Sequence, residues 1–386
     1  MKQIIQKILP RYQTIRQQLH RYPELRYQEV NTAKLIQQAL MDMGFNPQIQ
    51  IGKTGVVAVL DSGKPGKTVA LRADMDALPI EEETDLDYIS QNKGLMHACG
   101  HDGHVATLLG VAEVLQQLRH TFTGKVKFIF QPAEEGGAGA LAMIKDGVLE
   151  NPVVDAIFGY HNHPGTAVGK VLVKHGTTMY GNAEFSIQVH GKGGHAAMPE
   201  WAINPITLSA LVITALQTVS DALAKDPETT VLSVTTLHSG KAKNVIPEYA
   251  IIGGTIRAPS EKATMHAQKL IEAELNKVTQ GSGCTFTITY EDIYPATINT
   301  PVETDFVLKQ AKLLLGENNV AIKAKSGRAS EDFSYFLQKV PGCYFFIGNG
   351  EDSASCHSPH YNFNDGILPV AIELLATIAI TYLQNE

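Results

Sequence analysis

Ile4, Ile5, Ile8, Leu9, Tyr12, Ile15 and Leu19 recur at intervals of three and four. That spacing predicts an opening helix with one apolar face, and a second helix is expected over 32–43. Short β-rich runs follow at 55–60, 68–72, 126–131, 153–160 and 342–347, separated by helical patterns such as 105–118. Strands alternating with helices predict an α/β layered domain, a mixed sheet with helices on both faces. Residues 182–294 read differently. A strand at 183–190, a helix at 202–223, strands at 230–238 and 249–257, a helix at 261–279 and a strand at 285–291 make a β-α-β-β-α-β order, the split ferredoxin-like unit. Helical spacing resumes at 306–315. The expectation is a discontinuous first domain, 1–181 and 295–386, with 182–294 inserted as an α+β satellite.

Composition narrows the partners. With 44% hydrophobic and 18% charged residues, the 386-residue chain can bury a large interior, which excludes disorder as its dominant state. Its 39 acidic against 32 basic residues leave a net charge of -7, so nothing in the balance favours nucleic acid or an anionic membrane as partner. The opening segment lacks the apolar core and small-residue cleavage site of a secretory leader. The apolar stretch from Ile367 to Leu383 is interrupted by Glu373 and has helical spacing, so a packed helix is expected there rather than a membrane span. Four scattered cysteines, Cys99, Cys284, Cys343 and Cys356, are too sparse for a disulfide framework and point to a reducing, cytoplasmic setting.

Polar residues gather where the predicted strands end: Asp74 and Asp76 after 68–72, Glu134 and Glu135 after 126–131, His161 and His163 after 153–160. In open α/β sheets the ligand crevice lies outside the carboxyl ends of the strands, so these segments converge on one location. The densest run is Met96-His-Ala-Cys-Gly-His-Asp-Gly-His104, where a thiol, three imidazoles and a carboxylate sit in a glycine-rich turn before a helix. Such a set suits a divalent metal of borderline softness. A lone histidine there would more simply pad the turn; several ligand types together with Glu135 and His161 reverse that preference. Adjacent Glu134 and Glu135 allow one carboxylate to hold metal while the other acts as a general base, against the plainer reading of acidic residues opening a helix. The glycine runs lack phosphate-loop spacing, and no G-x-S-x-G or H-E-x-x-H occurs.

Taken in order, Leu19-His-Arg-Tyr-Pro-Glu24, Arg72-Ala-Asp-Met-Asp-Ala-Leu-Pro79, Met96 to His104, Gln131 to Gly137, His190-Gly-Lys-Gly-Gly-His-Ala-Ala-Met-Pro199, Ser330-Glu-Asp-Phe333 and His357-Ser-Pro-His360 resemble the aminoacylase, hippurate hydrolase and indoleacetyl-amino-acid hydrolase family of co-catalytic metallopeptidase-like amidohydrolases. The resemblance implies a catalytic domain with two divalent metal ions per subunit (Mn, Zn, Co or Ni) and a lid domain used in homodimerisation. It puts metal ligands at Cys99, His101, Glu135, His161 and His357, a general base at Glu134, and an orienting carboxylate at Asp76. It further implies a carbonyl-polarising His195 and carboxylate-gripping Asn244 and Arg257. Asp74 has no assigned part, and His104, His163 and His360 are expected to support the site without ligating. The implied reaction is hydrolysis of an N-acyl amino acid (N-acetyl, N-benzoyl or similar) to a carboxylic acid and a free amino acid. A dipeptidase or aminopeptidase with the same chemistry is the nearer alternative, a noncatalytic metal-binding protein the farther.

Overall fold

The computed structural model describes residues 1–225 and 229–384. Strands Lys125–Gln131, Thr68–Asp74, Ala156–Pro164 and Gly342–Gly350 lie side by side and parallel, in that order, at the centre of an eight-stranded sheet. Their near-continuous apolar runs are buried on both faces, as parallel strands covered by helices require. Gly55–Asp61 and then Gln48–Ile51 extend one side antiparallel; Val171–Val173 and the edge strand Val320–Ile322 extend the other. Gln48–Ile51, Val171–Val173 and Val320–Ile322 have only three or four residues each, too few for a periodic signal, and the sequence does not announce them.

The strand expected from Val153 begins at Ala156 and runs on to Pro164. Val153 itself is exposed, and the extension makes His161 and Asn162 strand residues, fixed by the sheet ladder rather than loose beyond it. Helix His101–Gln117 starts four residues earlier than expected, so His101, Asp102 and His104 lie in its first turn rather than in a turn ahead of it, and it is buried along most of its length. Helices Lys2–Arg21 and Ile367–Gln384 pack on it. Among the described residues, two helices, Pro205–Leu223 and Ile367–Gln384, are long and apolar enough to cross a membrane. In the second, Leu368, Ala371, Ile372, Leu375 and Ile378 are buried in the sheet domain's core, the place of a packed internal helix.

The chain divides into two compact units: Met1–Thr178 with Ile298–Ala324 and Asp332–Glu386, and Met179–Thr297 with Lys325–Glu331. The short segment Lys325–Glu331, which sequence periodicity leaves with the first domain, groups with the second. In that second unit the strands run Val231–Ser239, Tyr249–Ala258, Gly181–His190, Thr285–Tyr294 across an antiparallel sheet, the split ferredoxin-like order. Tyr249–Ala258 alternates buried and partly exposed positions, the mark of a sheet covered on one face. Helices Pro205–Leu223 and Glu261–Thr279 bury Val212, Leu216, Ile271 and Leu275 against it. Asn204 and Ser260 cap these helices by accepting from Ile206 N and Ala263 N, which satisfies otherwise unpaired first-turn amides.

Candidate functional site

The carboxyl ends of the parallel strands carry the ligand candidates. Glu134 and Glu135 lie on a short turn bracketed by Ala133 and Ala138, both non-glycine residues in left-handed conformation. His357 also has a positive φ, 67°, and its backbone N–H donates to the Ala98 carbonyl at 2.8 Å. Such conformations cost free energy and persist where surrounding contacts impose them, commonly at functional sites. Cys99 Sγ lies 3.3 Å from His161 Nε2, and His357 Nε2 lies 3.1 Å from Glu135 Oε1. Two sets of donor atoms, Cys99/His101/His161 and Cys99/Glu135/His357, each fall within 4.8 Å of one another and share the thiol. A third, His101/Glu134/Glu135, places Glu134 beside both.

His101 Nδ1 is 2.9 Å from the Asp76 carbonyl and 3.2 Å from Asp76 Oδ1; its Nε2 is buried with no hydrogen-bond partner among the described residues. Burial works against the imidazolium, but Asp74, Asp76 and Glu135 prevail and push the His101 pKa up to about 10. In the other direction, burial and the neighbouring His104 press His161 down. A hydrogen bond to Glu135 raises His357. The hydrogen bond to Cys356, burial and the two glutamates raise the Cys99 thiol. Anions clustered around a bare imidazole nitrogen, with one thiol common to two donor sets, fit divalent cations of mixed N, O and S preference.

Around these donors lies a buried polar frame. Asp76 Oδ2 accepts from Glu135 N at 2.9 Å, so one carboxylate holds both His101 and the glutamate turn. Asp74, without an expected part, pairs with His104 Nδ1 at 2.6 Å and Arg72 Nη1 at 2.7 Å. Arg72 reaches on to Asp332, which accepts from Gln131 and Ala140 N. Sequence reading also missed a network behind the ligand turn: His20 bridges Asp102 (2.9 Å) and Glu82 (3.1 Å), and Arg16 joins Asp102 and Asp365. Its only sequence signal is a charged and an imidazole side chain on the apolar face of the first helix. His163 contacts Thr166 and Lys323, and His360 contacts the Glu83 carbonyl; neither belongs to a donor set.

In the second unit His195 and Asn244 come together: Gly194–His195 pairs with Val245–Ile246, and Ala196 N donates to the Asn244 carbonyl at 3.1 Å. His195 is exposed, its Nδ1 accepting from Ala197 N. Arg257 lies near the other end of Tyr249–Ala258, where its Nη1 donates to Ser330 Oγ at 2.8 Å. Arg257 lies eight residue steps along the strand from Tyr249, roughly 26 Å, so the structure does not bring Arg257 to His195 and Asn244 within this unit.

The family model for peptidase family M20/M25/M40 matches residues 70–381. The chain is 39% identical over 376 residues to thermostable carboxypeptidase 1 of Saccharolobus solfataricus, covering 95% of this chain and 94% of that protein. It is 38% identical over 373 residues to hippurate hydrolase of Campylobacter jejuni, covering 97% of each. Among solved structures it superposes with a TM-score of 0.88 and 32% identity on the Bacillus subtilis YXEP protein, described as a dinuclear metal binding peptidase from the M20 family, over 99% of this chain and 100% of that one.

Proposed function

The chain belongs to peptidase family M20/M25/M40, and on that premise we propose that it is a metal-dependent amidohydrolase that cleaves N-acyl amino acids to a carboxylic acid and a free amino acid. One observation carries this reading: two donor triads share Cys99, with the additional carboxylate of Glu134 beside them. Cys99, His101 and His161 would hold one divalent ion, and Cys99, Glu135 and His357 a second, drawn from Mn, Zn, Co or Ni. When bound, such ions acidify a water and polarise the scissile carbonyl. Glu134 takes the proton as the water attacks and returns it to the leaving nitrogen. Asp76 fixes the His101 ring with its proton on Nδ1, leaving Nε2 for the metal. His195 donates to the developing oxyanion, and Asn244 and Arg257 hold the amino acid's carboxylate.

The separation of Arg257 from His195 and Asn244 supports a homodimer through the second unit, in which these groups serve different copies of the site. Exposed Leu211 and Leu237, the latter on the edge strand Val231–Ser239, supply apolar surface for that contact. The cytoplasm, which keeps Cys99 reduced, is the compartment that suits this ligand set.

A peptidase activity is the second reading, favoured by the similarity to a carboxypeptidase. An N-acyl amino acid and a peptide share an amide next to a carboxylate, so the acyl side, blocked or carrying a free amino terminus, decides. Metal-stripped protein resupplied singly with Mn, Zn, Co or Ni is to be assayed for amine release from N-acetyl and N-benzoyl amino acids and from free dipeptides. Metal-dependent cleavage of the blocked substrates is expected. Cleavage of free dipeptides alone would transfer the chain to the peptidase reading.

A further inference from the structure

The donors come from four stretches of chain far apart in sequence, and one uncharged residue bonds directly to two of them and, through Tyr361, to a third, the His357 segment. Asn162, 2% exposed, follows His161 on strand Ala156–Pro164. Its backbone carbonyl accepts from His161 Nδ1 at 2.7 Å. A carbonyl only accepts, so the ring proton is on Nδ1 and the Nε2 lone pair faces Cys99. Its side-chain Nδ2 donates to the Cys99 carbonyl at 2.7 Å, inside the turn that joins Cys99 to His101. Its Oδ1 accepts from Tyr361 Oη at 2.5 Å. Tyr361 is wholly buried and stands four residues after His357. Behind them, His104 Nε2 accepts from Asn162 N at 3.2 Å, while its Nδ1 is spent on Asp74.

Gly100 shows how closely this arrangement is packed. The residue between Cys99 and His101 has φ +91°, and a Cβ there would sit 2.4 Å from Asn162 Nδ2 and 2.5 Å from Tyr361 Oη. The turn carrying two donors is therefore seated directly on the Asn162–Tyr361 pair, with no room for a side chain between them.

We propose that Asn162, oriented by Tyr361, is the positioning residue of the metal centre: a clamp that sets the mutual placement of Cys99, His101 and His161 and couples it to the His357 segment. The assignment rests on the two-metal reading above. The orientation of the amide is forced. Tyr361 must donate to Oδ1 once Nδ2 faces a carbonyl, so loss of the tyrosine hydroxyl frees the amide to turn and loosens the Cys99 turn without altering a ligand.

The test compares wild type, Asn162→Asp and Tyr361→Phe, with Cys99→Ser as the ligand control. Zn²⁺ alone is the probe, its affinity read by competition with a chromogenic chelator, alongside thermal midpoints, kcat and KM. Asn162→Asp preserves shape but turns a carboxylate oxygen toward the Cys99 carbonyl; about 10–100-fold weaker Zn²⁺ binding is expected, with kcat lowered and KM little changed. Tyr361→Phe should shift affinity in the same direction by a smaller factor. Should Asn162→Asp fail to fold, Tyr361→Phe decides. Folded variants that hold Zn²⁺ as tightly as wild type, while Cys99→Ser does not, overturn the clamp and leave the metal reading standing. Wild type and Cys99→Ser with equal, negligible affinity would remove the metal reading and the clamp with it.

Discussion

Three histidines occupy one nine-residue run, and their surroundings give them opposite properties. His97 is buried with both ring nitrogens unpartnered among the described residues, and burial pushes its pKa down to about 4. His101, four residues on, is equally buried yet rises to about 10 because Asp74, Asp76 and Glu135 surround it. His104 turns its Nδ1 to Asp74. The prediction is that Cys99→Ser lowers metal content per subunit while the fold persists, whereas His97→Gln leaves metal content unchanged; elemental analysis of both proteins checks it. Equal metal loss in the two would mean that the turn as a whole, rather than particular donors, holds the ions.

Most of the ligand candidates were legible in the sequence because their chemistry is written in short contiguous motifs: a thiol and imidazoles in one run, two adjacent glutamates, and a histidine at a strand end; His357 entered only through the family resemblance. Arg72, Asn162, Tyr361, Asp332, Arg16 and His20 were not singled out, since each acquires meaning only from a partner far along the chain. Arg72 and Asp332, for example, meet at 3.0 Å across 260 residues.

At the scale of elements, the first helix does more than pack on helices His101–Gln117 and Ile367–Gln384. Lys2–Arg21 carries Arg16 and His20 into the core, where both grip Asp102 in the first turn of His101–Gln117. Burial opposes charge on His20, but Asp102 and Glu82 outweigh it and raise its pKa from 6.5 to about 9. A raised folded-state pKa means that the stabilisation is complete below about pH 6.5 and is lost as the pH climbs through 9. A gap of that size corresponds to roughly 3 kcal/mol at most. With metal loading held constant, the thermal midpoint of His20→Gln should fall well below wild type at pH 6, and the gap should narrow by pH 10. A gap independent of pH would show that His20 acts by packing alone. The long amphipathic helices and buried strands were readable from periodicity. The three- and four-residue strands at or near the sheet edges were not, because so few residues cannot establish a period.

At the scale of the whole molecule, the alternation of strands and helices and its interruption by a β-α-β-β-α-β segment could both be read from the chain. The grouping of Lys325–Glu331 with the second unit could not, since it depends on contacts such as Tyr180 N to the Gly327 carbonyl, made across a long sequence distance. Light scattering is expected to give twice the chain mass, and Leu237→Glu, at the open edge of the second sheet, is expected to shift the protein toward monomer with loss of turnover. A fully active monomer would restrict the second unit to its own subunit.

In the proposed reaction, turnover depends above all on Glu134 moving a proton beside metals that other residues hold. The most direct measurement is turnover of an N-acyl amino acid by wild type and Glu134→Gln, each with its metal content determined in the same preparation. The prediction is a fall in kcat of about 10²–10⁴-fold with metal stoichiometry preserved. Undiminished kcat in a metal-loaded Glu134→Gln protein would contradict it.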